Sequence, residues 1–405
     1  MSSFGTVIVG AGAAGIAAAR RLVAAGQQVL VLEARDRVGG RAATDHSLGA
    51  PLDLGAAWLH FAEQNAWTGI ADRGGFGVIR REPGWGAGAS IGMHKPTEAE
   101  RQAADASYEH YHALIQAAAS AGRDVAVSEV LPNDAYRPRF DAVMTWAVSV
   151  ESRQVSTLDL ARYADSEHNW AVREGLGTVV AAGAAGLPIR LGSVVTAVDW
   201  SGPRIRIDTS DGRVEANAVI VTVPTTVLAA GTIAFTPALP AGHVEAFQSL
   251  PLGVVNKAFF RLGPGQFPDG VSRHILGSAS TSRTCSYLVY PAEQPLLCAF
   301  FGGDLSRELE QRGELTAFAR AELRGIFGAQ FERALGPSLA TGWGADPYAR
   351  GSYSAALPGK AHYRGILAAP VTAALQFAGE ACSEQFYGTL HGAWLSGVAA
   401  AERLL

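Results

Sequence analysis

The sequence predicts an α/β (α+β mixed) chain: a Rossmann-like dinucleotide-binding domain carrying an inserted domain of mixed sheet plus helices. Three observations carry that expectation. The chain opens on an apolar run, a glycine turn, an alanine-rich helix pattern, a second apolar run and an acid, all between Thr6 and Glu33. From about Gly175 the texture turns to short β runs that lead into a buried strand at Val219 to Val223. A last short strand, Leu375 to Gly379, precedes a loop and a helix pattern from about Thr389 to Leu404. The nucleotide domain is therefore expected to be discontinuous, built from 1–72, 172–245 and 344–405, with 73–171 and 246–343 forming the second domain.

The opening stretch justifies itself residue by residue. Val7-Ile8-Val9 reads as a buried strand. Gly10 allows a tight strand-to-helix turn, Gly12 lets the backbone touch a pyrophosphate, and Gly15 lets helix and sheet pack closely. The helix N-terminus then turns free N–H groups and a partial positive charge toward the phosphates. Glu33 lies eighteen residues past Gly15, at the end of the second strand, placed to accept from a ribose hydroxyl. A lone Gly-x-Gly-x-x-Gly often marks an ordinary turn. Here the strand before it, the helix after it and the acid at that spacing mark a dinucleotide, NAD or FAD. The second turn, Arg35-Asp36-Arg37-Val38-Gly39-Gly40-Arg41, favours FAD. A plain NAD site has no need of a second glycine turn with an arginine against the pyrophosphate.

Composition sets the bounds. The chain has 405 residues, two or three domains' worth at ~150 residues each. Hydrophobic residues make up 48% and charged residues 17%, which suits a large buried core rather than disorder. The net charge of −4 is spread without long runs, so neither nucleic acid nor a membrane is an expected partner. Cys285, Cys298 and Cys382 are odd in number and widely spaced. That pattern points to a reducing compartment, with no disulfide frame and no metal site. The first strand begins almost at Met1, and no run reaches the ~18 apolar residues of a membrane span, so a cytoplasmic location is expected. Lysine occurs only at 95, 257 and 360, which makes each one worth a question.

In chain order, Leu52 to His60 reads as a short strand ending in small residues (Gly55-Ala56-Ala57) that let a large flat group lie against the main chain. Residues 61–72 read as helix, and Gly74 to Gly92 as loop and short strands. Pro96 to Ser120 reads as helix, with Thr97 and Glu100 forming a capping box. Further helices are expected at Ala135 to Val150, Thr157 to Ala164 and Ala317 to Leu335. Strands are expected at Pro188 to Leu191, Val194 to Trp200, Arg204 to Thr209 and Arg213 to Glu215, with Asp211-Gly212 as a hairpin turn. Pro251 to Arg261 opens a new sheet that Cys285 to Tyr290 and Leu296 to Phe301 continue.

With these blocks in view, the chain resembles the flavin-dependent amine oxidases, the family of monoamine oxidases, polyamine oxidases and flavin histone lysine demethylases. Five blocks carry the resemblance: Gly10 to Arg41; Asp53-Leu54-Gly55-Ala56-Ala57-Trp58-Leu59-His60; Leu252 to Ala258 around Asn256-Lys257; Trp343 through Asp346 to Ser354; and Phe377-Ala378-Gly379-Glu380 through Gly388-Thr389-Leu390-His391-Gly392-Ala393. In motifs they are most similar to polyamine oxidases. The stretches 73–171 and 262–342 match nothing comparable.

The resemblance implies FAD contacts at Gly10, Gly12, Ala14 and Gly15 (pyrophosphate), Glu33 (ribose), Arg35, Gly40 and Arg41 (adenosine and phosphates), Val195 (adenine), Ala57 and Trp58 (flavin end), and Gly379 and Glu380 (ribityl and phosphate). It also implies that Thr389 and Leu390 present N–H groups to the flavin N1–C2=O edge, where a helix N-terminus favours negative charge. It makes Lys257 the catalytic lysine that holds a water against flavin N5; the plainer reading is a strand-edge lysine reaching solvent. A buried ammonium there would have a lowered pKa. Tyr353, His60, Trp343 and Thr389 are implied at the substrate pocket. Tyr353 would orient an amine by its aromatic face, and His60 would bind or relay a proton; each is also read as an ordinary packed residue. The covalent flavin cysteine of monoamine oxidases falls here at Ser352, so FAD is expected to be noncovalent. Their second cage tyrosine falls at Thr389. Phe61 stands where the polyamine-oxidase block has glycine. Glu82, Glu151 and Asp159 are candidate carboxylates for a cationic substrate.

The expected function is therefore FAD-dependent oxidation of the C–N bond of a polyamine or other secondary or primary amine to an imine, which hydrolyses to an aldehyde while oxygen becomes hydrogen peroxide. The partners are an amine and molecular oxygen. Two alternatives stay open: a related flavoprotein dehydrogenase or desaturase with another acceptor, and a non-catalytic flavin-binding protein.

Overall fold

The computed structural model describes residues 3–405 apart from Gly84 and Pro264. Met1, and Gly84 within the stretch read as loop and short strands, lie outside the described residues. The chain begins β1 (Ser3–Val9), α1 (Ala13–Ala24), β2 (Val29–Leu32), β3 (Thr44–Asp45), β4 (Leu52–Asp53) and α2 (Ala66–Arg73). It continues through β5 (Val78–Ile79), β6 (Ser90–Ile91), α3 (Glu98–Ser120), α4 (Val127–Val130), α5 (Arg137–Val148), α6 (Thr157–Arg162) and β7 (Ala171–Val172). Next come α7 (Leu176–Gly183), β8 (Ile189–Arg190), β9 (Val195–Asp199), β10 (Ile205–Thr209), β11 (Gly212–Val221), α8 (Thr225–Ala229), β12 (Ala234–Thr236) and α9 (Ala241–Ser249). A second sheet region follows with β13 (Val255–Arg261), β14 (His274–Leu276), β15 (Ser286–Val289), β16 (Leu296–Gly302), α10 (Gly303–Arg312), α11 (Leu315–Ala334) and β17 (Ser338–Ala340). The chain closes with α12 (Tyr363–Ala368), β18 (Leu375–Phe377) and α13 (Leu390–Glu402).

The eight-stranded sheet runs β12-β9-β10-β11-β1-β2-β8, with β18 added on β11. Its heart, β18, β11, β1, β2 and β8, is parallel. Parallel strands buried on both faces read as continuous apolar runs, and Val29–Leu32 is buried at all four positions. α1 and α13 lie together on one face. They approach so closely that a Cβ on Gly397 would come 2.1 Å from Ala14 O, so small residues set the spacing. The carboxyl ends of β1, β2, β11 and β18 therefore open onto one crevice, where ligands of such sheets bind.

The six-stranded sheet runs β17-β13-β16-β15-β14-β6. Side chains alternate across β13. Ala258 and Phe260 pack with Leu305, Leu309, Leu315, Ala319 and Leu323 from α10 and α11. Phe259 faces the other way, with Ala50 and Leu52 beside β4. Lys257 shares the Phe259 face, which turns it toward the first sheet. α3 starts on the expected capping box, with both reciprocal bonds between Thr97 and Glu100 formed, a feature worth about 1 kcal/mol.

Several expectations are corrected. β11 is one ten-residue strand, not the separate strands expected at 213–215 and 219–223. Its first half pairs with β10 at the sheet's half-exposed part and its second half with β18, so the apolar pattern changes from alternating to continuous in mid-strand. The β10–β11 loop is Ser210-Asp211, since Thr209 pairs with Gly212. Residues 61–64 are turn, and α2 begins only at Ala66. Three expected domain boundaries fall inside elements: 72/73 in α2, 171/172 in β7 and 245/246 in α9. No helix among the described residues is long and apolar enough to cross a membrane, and no group of three or more His, Cys, Asp or Glu among them is arranged to hold a metal ion.

Candidate active site

A single cavity of about 880 Å³ runs from the glycine turn after β1 to Lys257 and Tyr353. That is the upper part of the ~300–1,000 Å³ range of small-molecule sites. The three turn glycines have three different physical roles. Gly10 sits at φ +106°, a conformation other residues avoid. Gly12 is the N-cap of α1 in extended backbone, and a Cβ there would meet nothing within 4 Å. It forms a cradle open to the cavity. A Cβ on Gly15 would come 1.9 Å from Gly10 O. Gly15 is therefore a packing glycine behind the turn and does not line the cavity, which corrects its expected pyrophosphate contact. Ala14 lines the wall beside Gly12.

The second glycine turn leans on the first. Gly39 N–H donates to Ala11 O at 2.9 Å, and Gly40 lies against the Cα of Gly12. Glu33 is 4% exposed; its Oε2 accepts from Ala11 N–H at 2.8 Å and its Oε1 from Arg35 N–H at 2.9 Å. Each carboxylate oxygen has a second lone pair to offer. Arg35 pairs with Asp346 at 2.6 Å and lies 5.4 Å from the Tyr348 ring centre. Val195, the first residue of β9, closes this end of the cavity.

At the other end, Gly55, Ala56, Ala57 and Trp58 follow β4 along the wall, opposite Gly379, Glu380, Thr389 and Leu390. Glu380 is held by Arg41 at 2.9 Å, by Ser354 Oγ at 2.7 Å and by Gly388 N–H at 2.8 Å. Burial pushes its pKa up, but Arg41, Arg364 and the hydrogen bonds from Ser354 and Gly388 together outweigh burial and keep it below the ordinary value, so it stays a carboxylate. Arg364, fully buried, clamps Asp159 with two bonds at 2.6 and 2.8 Å and donates to Ser354 Oγ at 2.9 Å. This alternating chain of four charges, Arg41, Glu380, Arg364 and Asp159, was invisible to sequence reasoning. Its members lie up to 339 residues apart, and no local pattern joins them.

Lys257 is 4% exposed, not a strand-edge lysine reaching solvent. Its Nζ donates to Asp53 O at 2.7 Å and Gly55 O at 2.6 Å, 4.9 Å from the centre of the Phe300 ring. An ammonium has three N–H donors, so one is left for the cavity. Burial lowers its pKa. Asp53 fixes the strand that presents those carbonyls: its carboxylate accepts from Thr44 Oγ1 at 2.7 Å and from the first N–H groups of α7, Leu176 at 2.8 Å and Gly177 at 3.1 Å. Trp343 is fixed by Asn256, whose Oδ1 accepts from its N–H at 3.0 Å, and its indole donates to Leu54 O at 3.0 Å.

Tyr353 lines the cavity with its hydroxyl tied to Trp146 O on α5. His60 Nδ1 lies 2.5 Å from Asn169 Oδ1, so that nitrogen carries the proton and Nε2 is the acceptor. Burial lowers the His60 pKa, which keeps it neutral near pH 7. The side chain of Thr389 departs from expectation. Its hydroxyl caps α13, accepting from Gly392 N–H at 2.9 Å and donating to Phe386 O at 2.7 Å, so it is committed to the helix rather than to substrate. Phe61 holds φ +51°, a left-handed position that suits glycine, and packs on Phe386 and His391. Glu82, Glu151 and Asp159 do not line the cavity: they bind Asn169 N–H, Asp304 N–H and Arg364. The carboxylates that do line its outer part are Asp105 and Asp165, both exposed.

A glycine cradle at the switch point of a parallel sheet, continuous with a pocket holding a buried lysine, defines a dinucleotide-dependent oxidoreductase. The family model "Flavin containing amine oxidoreductase" matches residues 13–77 and 99–405, and the chain belongs to that family. It is 31% identical to polyamine oxidase 2 of Arabidopsis thaliana over 98% of this chain and 87% of that one. It is 31% identical to polyamine oxidase 4 of Oryza sativa subsp. japonica over the same shares. Lysine-specific histone demethylase 1 homolog 2 of Arabidopsis thaliana is 28% identical over 98% of this chain and 58% of that one. Putrescine oxidase, solved with putrescine bound, matches with a TM-score of 0.83 at 24% identity over 99% of this chain and 98% of that one; this likeness shows the fold. The chain is thus an FAD-dependent amine oxidase.

Proposed function

We propose that the cavity binds FAD noncovalently and oxidises the C–N bond of a secondary or primary amine, the polyamines named in its relatives included. In this reading the cofactor unit comprises 1–72, 172–245 and 344–405, and the substrate unit 73–171 and 246–343, with the three boundaries that cut an element moved to its nearest end. The observation that carries the reading is Lys257: an ammonium buried on one face of β13, fixed by two carbonyls, with one N–H left for the cavity. The residues fit the cofactor. Gly12 leaves room for a pyrophosphate, Glu33 offers lone pairs to a ribose, and α1 and α13 both direct N-termini into the cavity. Noncovalent binding is supported by the cysteines, none of which lines the cavity.

The two-electron chemistry is the cofactor's: a hydride equivalent leaves the carbon beside nitrogen, the imine hydrolyses to an aldehyde, and oxygen is reduced to hydrogen peroxide. The protein's part is binding, orientation and electrostatics. The Tyr353 ring orients the amine, and tethering of its hydroxyl to Trp146 O fixes that ring. Neutral His60 has an acceptor nitrogen able to take a proton from a substrate ammonium, leaving the lone pair that oxidation needs. Lys257 places positive charge where electrons are handed to oxygen. Apolar walls from Trp58, Phe300 and Trp343 keep bulk water from this end. A cytoplasmic setting is consistent with three unpaired cysteines. Peroxide release by the purified holoenzyme against a panel of amines tests the reading: peroxide dependent on an amine is expected, and amine consumption without peroxide would favour a dehydrogenase.

A further inference from the structure

The cavity has an arm between α3 and α5, covered by the 3-10 turn at Gly86–Gly88. Ala104, Tyr108 and His112 line it at four-residue spacing on α3, and Arg139, Val143 and Ala147 at the same spacing on α5. Arg139 is 8% exposed. Its Nη2 donates to Gly86 O at 3.1 Å, and its Nε has no hydrogen-bond partner among the described residues. Arg137, on the same helix, shows the usual arrangement, with Asp141 at 2.9 Å. No carboxylate among the described residues lies within ion-pair distance of Arg139. A guanidinium does not shed its charge in a protein, so its burial calls for an anion, and none of the described residues supplies one at ion-pair distance.

The neighbouring groups point the same way. The Tyr108 phenol makes no hydrogen bond among the described residues; burial pushes its pKa up, with Arg139 opposing, so it remains a neutral donor. His112, exposed at the mouth of the arm, has its pKa lowered by partial burial, which disfavours its charged form. Asp105, three residues before Tyr108 on α3, and Asp165 are exposed and screened by water. The buried charge of the arm is positive, beside a phenolic donor. That pair fits a carboxylate, which the guanidinium fork binds with two parallel bonds.

We infer that Arg139, with Tyr108, binds a carboxylate at the non-reacting end of the substrate, so that the preferred amine is a linear amino acid or its N-alkyl derivative rather than a polyamine with a cationic far end. This rests on the amine-oxidase reading and names its substrate class. α5 also gives the scale. Trp146, whose carbonyl holds Tyr353 at the reacting end, is seven residues beyond Arg139. At 1.5 Å per residue the two positions lie about 10 Å apart along the helix.

The test uses the FAD-loaded full chain. Linear ω-amino acids of increasing length are compared with diamines and alkylamines of matched length, by peroxide release. The best ω-amino acid should exceed its matched diamine about tenfold or more in kcat/KM, chiefly through KM. Arg139→Met should raise KM for that amino acid by about 10- to 150-fold, the range for a charge-assisted hydrogen bond. It should leave kcat and the alkylamine constants near wild type. It should also raise the thermal midpoint, because an unpaired buried charge is removed. Arg139→Lys should fall between the two. Linear alkanoates should raise the midpoint of wild type but not of Arg139→Met, a readout independent of turnover. Preference for diamines, an unchanged amino-acid KM in Arg139→Met, or equal alkanoate stabilisation of both proteins would overturn the inference. Alkanoate stabilisation specific to wild type, with no amine oxidised, would instead support the anion site while removing the amine-oxidase reading beneath it.

Discussion

Replacing Gly12 and Gly15 by alanine, one at a time, separates cofactor contact from packing within a single turn. At Gly12 the backbone is extended (φ −78°, ψ −175°) and a Cβ meets nothing within 4 Å. Alanine fits without strain, and loss of chain freedom in the unfolded state stabilises by about 0.4–1 kcal/mol. The added methyl points into the space where the backbone must approach a pyrophosphate. Losing one charge-assisted N–H···phosphate bond there costs about 1.5–3 kcal/mol, or roughly 10- to 150-fold in FAD affinity. At Gly15 the Cβ would lie 1.9 Å from Gly10 O. The turn must shift by about an ångström, and overpacking of this kind costs about 1–3 kcal/mol or more with no ligand present. The assay is thermal unfolding of the apoprotein together with FAD titration by flavin fluorescence. Gly12→Ala should keep or slightly raise the apoprotein midpoint and lose FAD affinity; Gly15→Ala should lower the midpoint itself. A Gly12→Ala protein that binds FAD like wild type, or that unfolds as early as Gly15→Ala, refutes the assignment.

Further outcomes follow from the other end of the cavity. Lys257→Met keeps the side-chain volume and removes the ammonium held by Asp53 O and Gly55 O; it should slow recovery of the flavin spectrum in air about 10-fold or more while FAD binding changes little. Equal loss of both would make Lys257 structural. Because burial lowers the Lys257 pKa from its ordinary 10.5, the folded state disfavours its charged form. The stability it contributes is present above 10.5 and lost as pH falls through its folded pKa. Wild type should therefore gain stability relative to Lys257→Met as pH rises through that window, and parallel pH–stability curves would contradict this. Glu380→Gln keeps the shape but turns an amide donor toward Arg41, Ser354 or Gly388, all donors. Leaving buried charges unpaired costs about 3–5 kcal/mol, so both the thermal midpoint and FAD retention should fall, and a holoenzyme of wild-type midpoint would exclude the four-charge chain.

How far the sequence reached depended on the range of the physics involved. Gly10, Gly12 and Glu33 were legible because turn, helix start and acid are spaced by local geometry, and Thr97 with Glu100 because a capping box spans three residues. Lys257 was legible through its block, but what fixes it was not. Asp53 and Gly55 lie some two hundred residues earlier and act through backbone carbonyls, which carry no sequence signal. Gly15 and Thr389 show that a residue inside a binding motif also serves the fold: the packing role read for Gly15 is the one its contacts show, and the Thr389 hydroxyl is taken up by the α13 cap although the residue lines the cavity. β11 was split because its neighbours change along its length. Arg139 lay in a stretch with no recognisable motif, and it is informative because, among the described residues, its buried Nε has no hydrogen-bond partner.

The most direct test of the central claim is anaerobic addition of amines to the FAD-loaded protein, followed at the flavin absorption band. The structure predicts bleaching by at least one amine, saturable with its concentration, and return of the band when air is admitted. A protein that holds FAD stoichiometrically, yet whose spectrum no primary, secondary or carboxylate-bearing amine changes, would contradict the account.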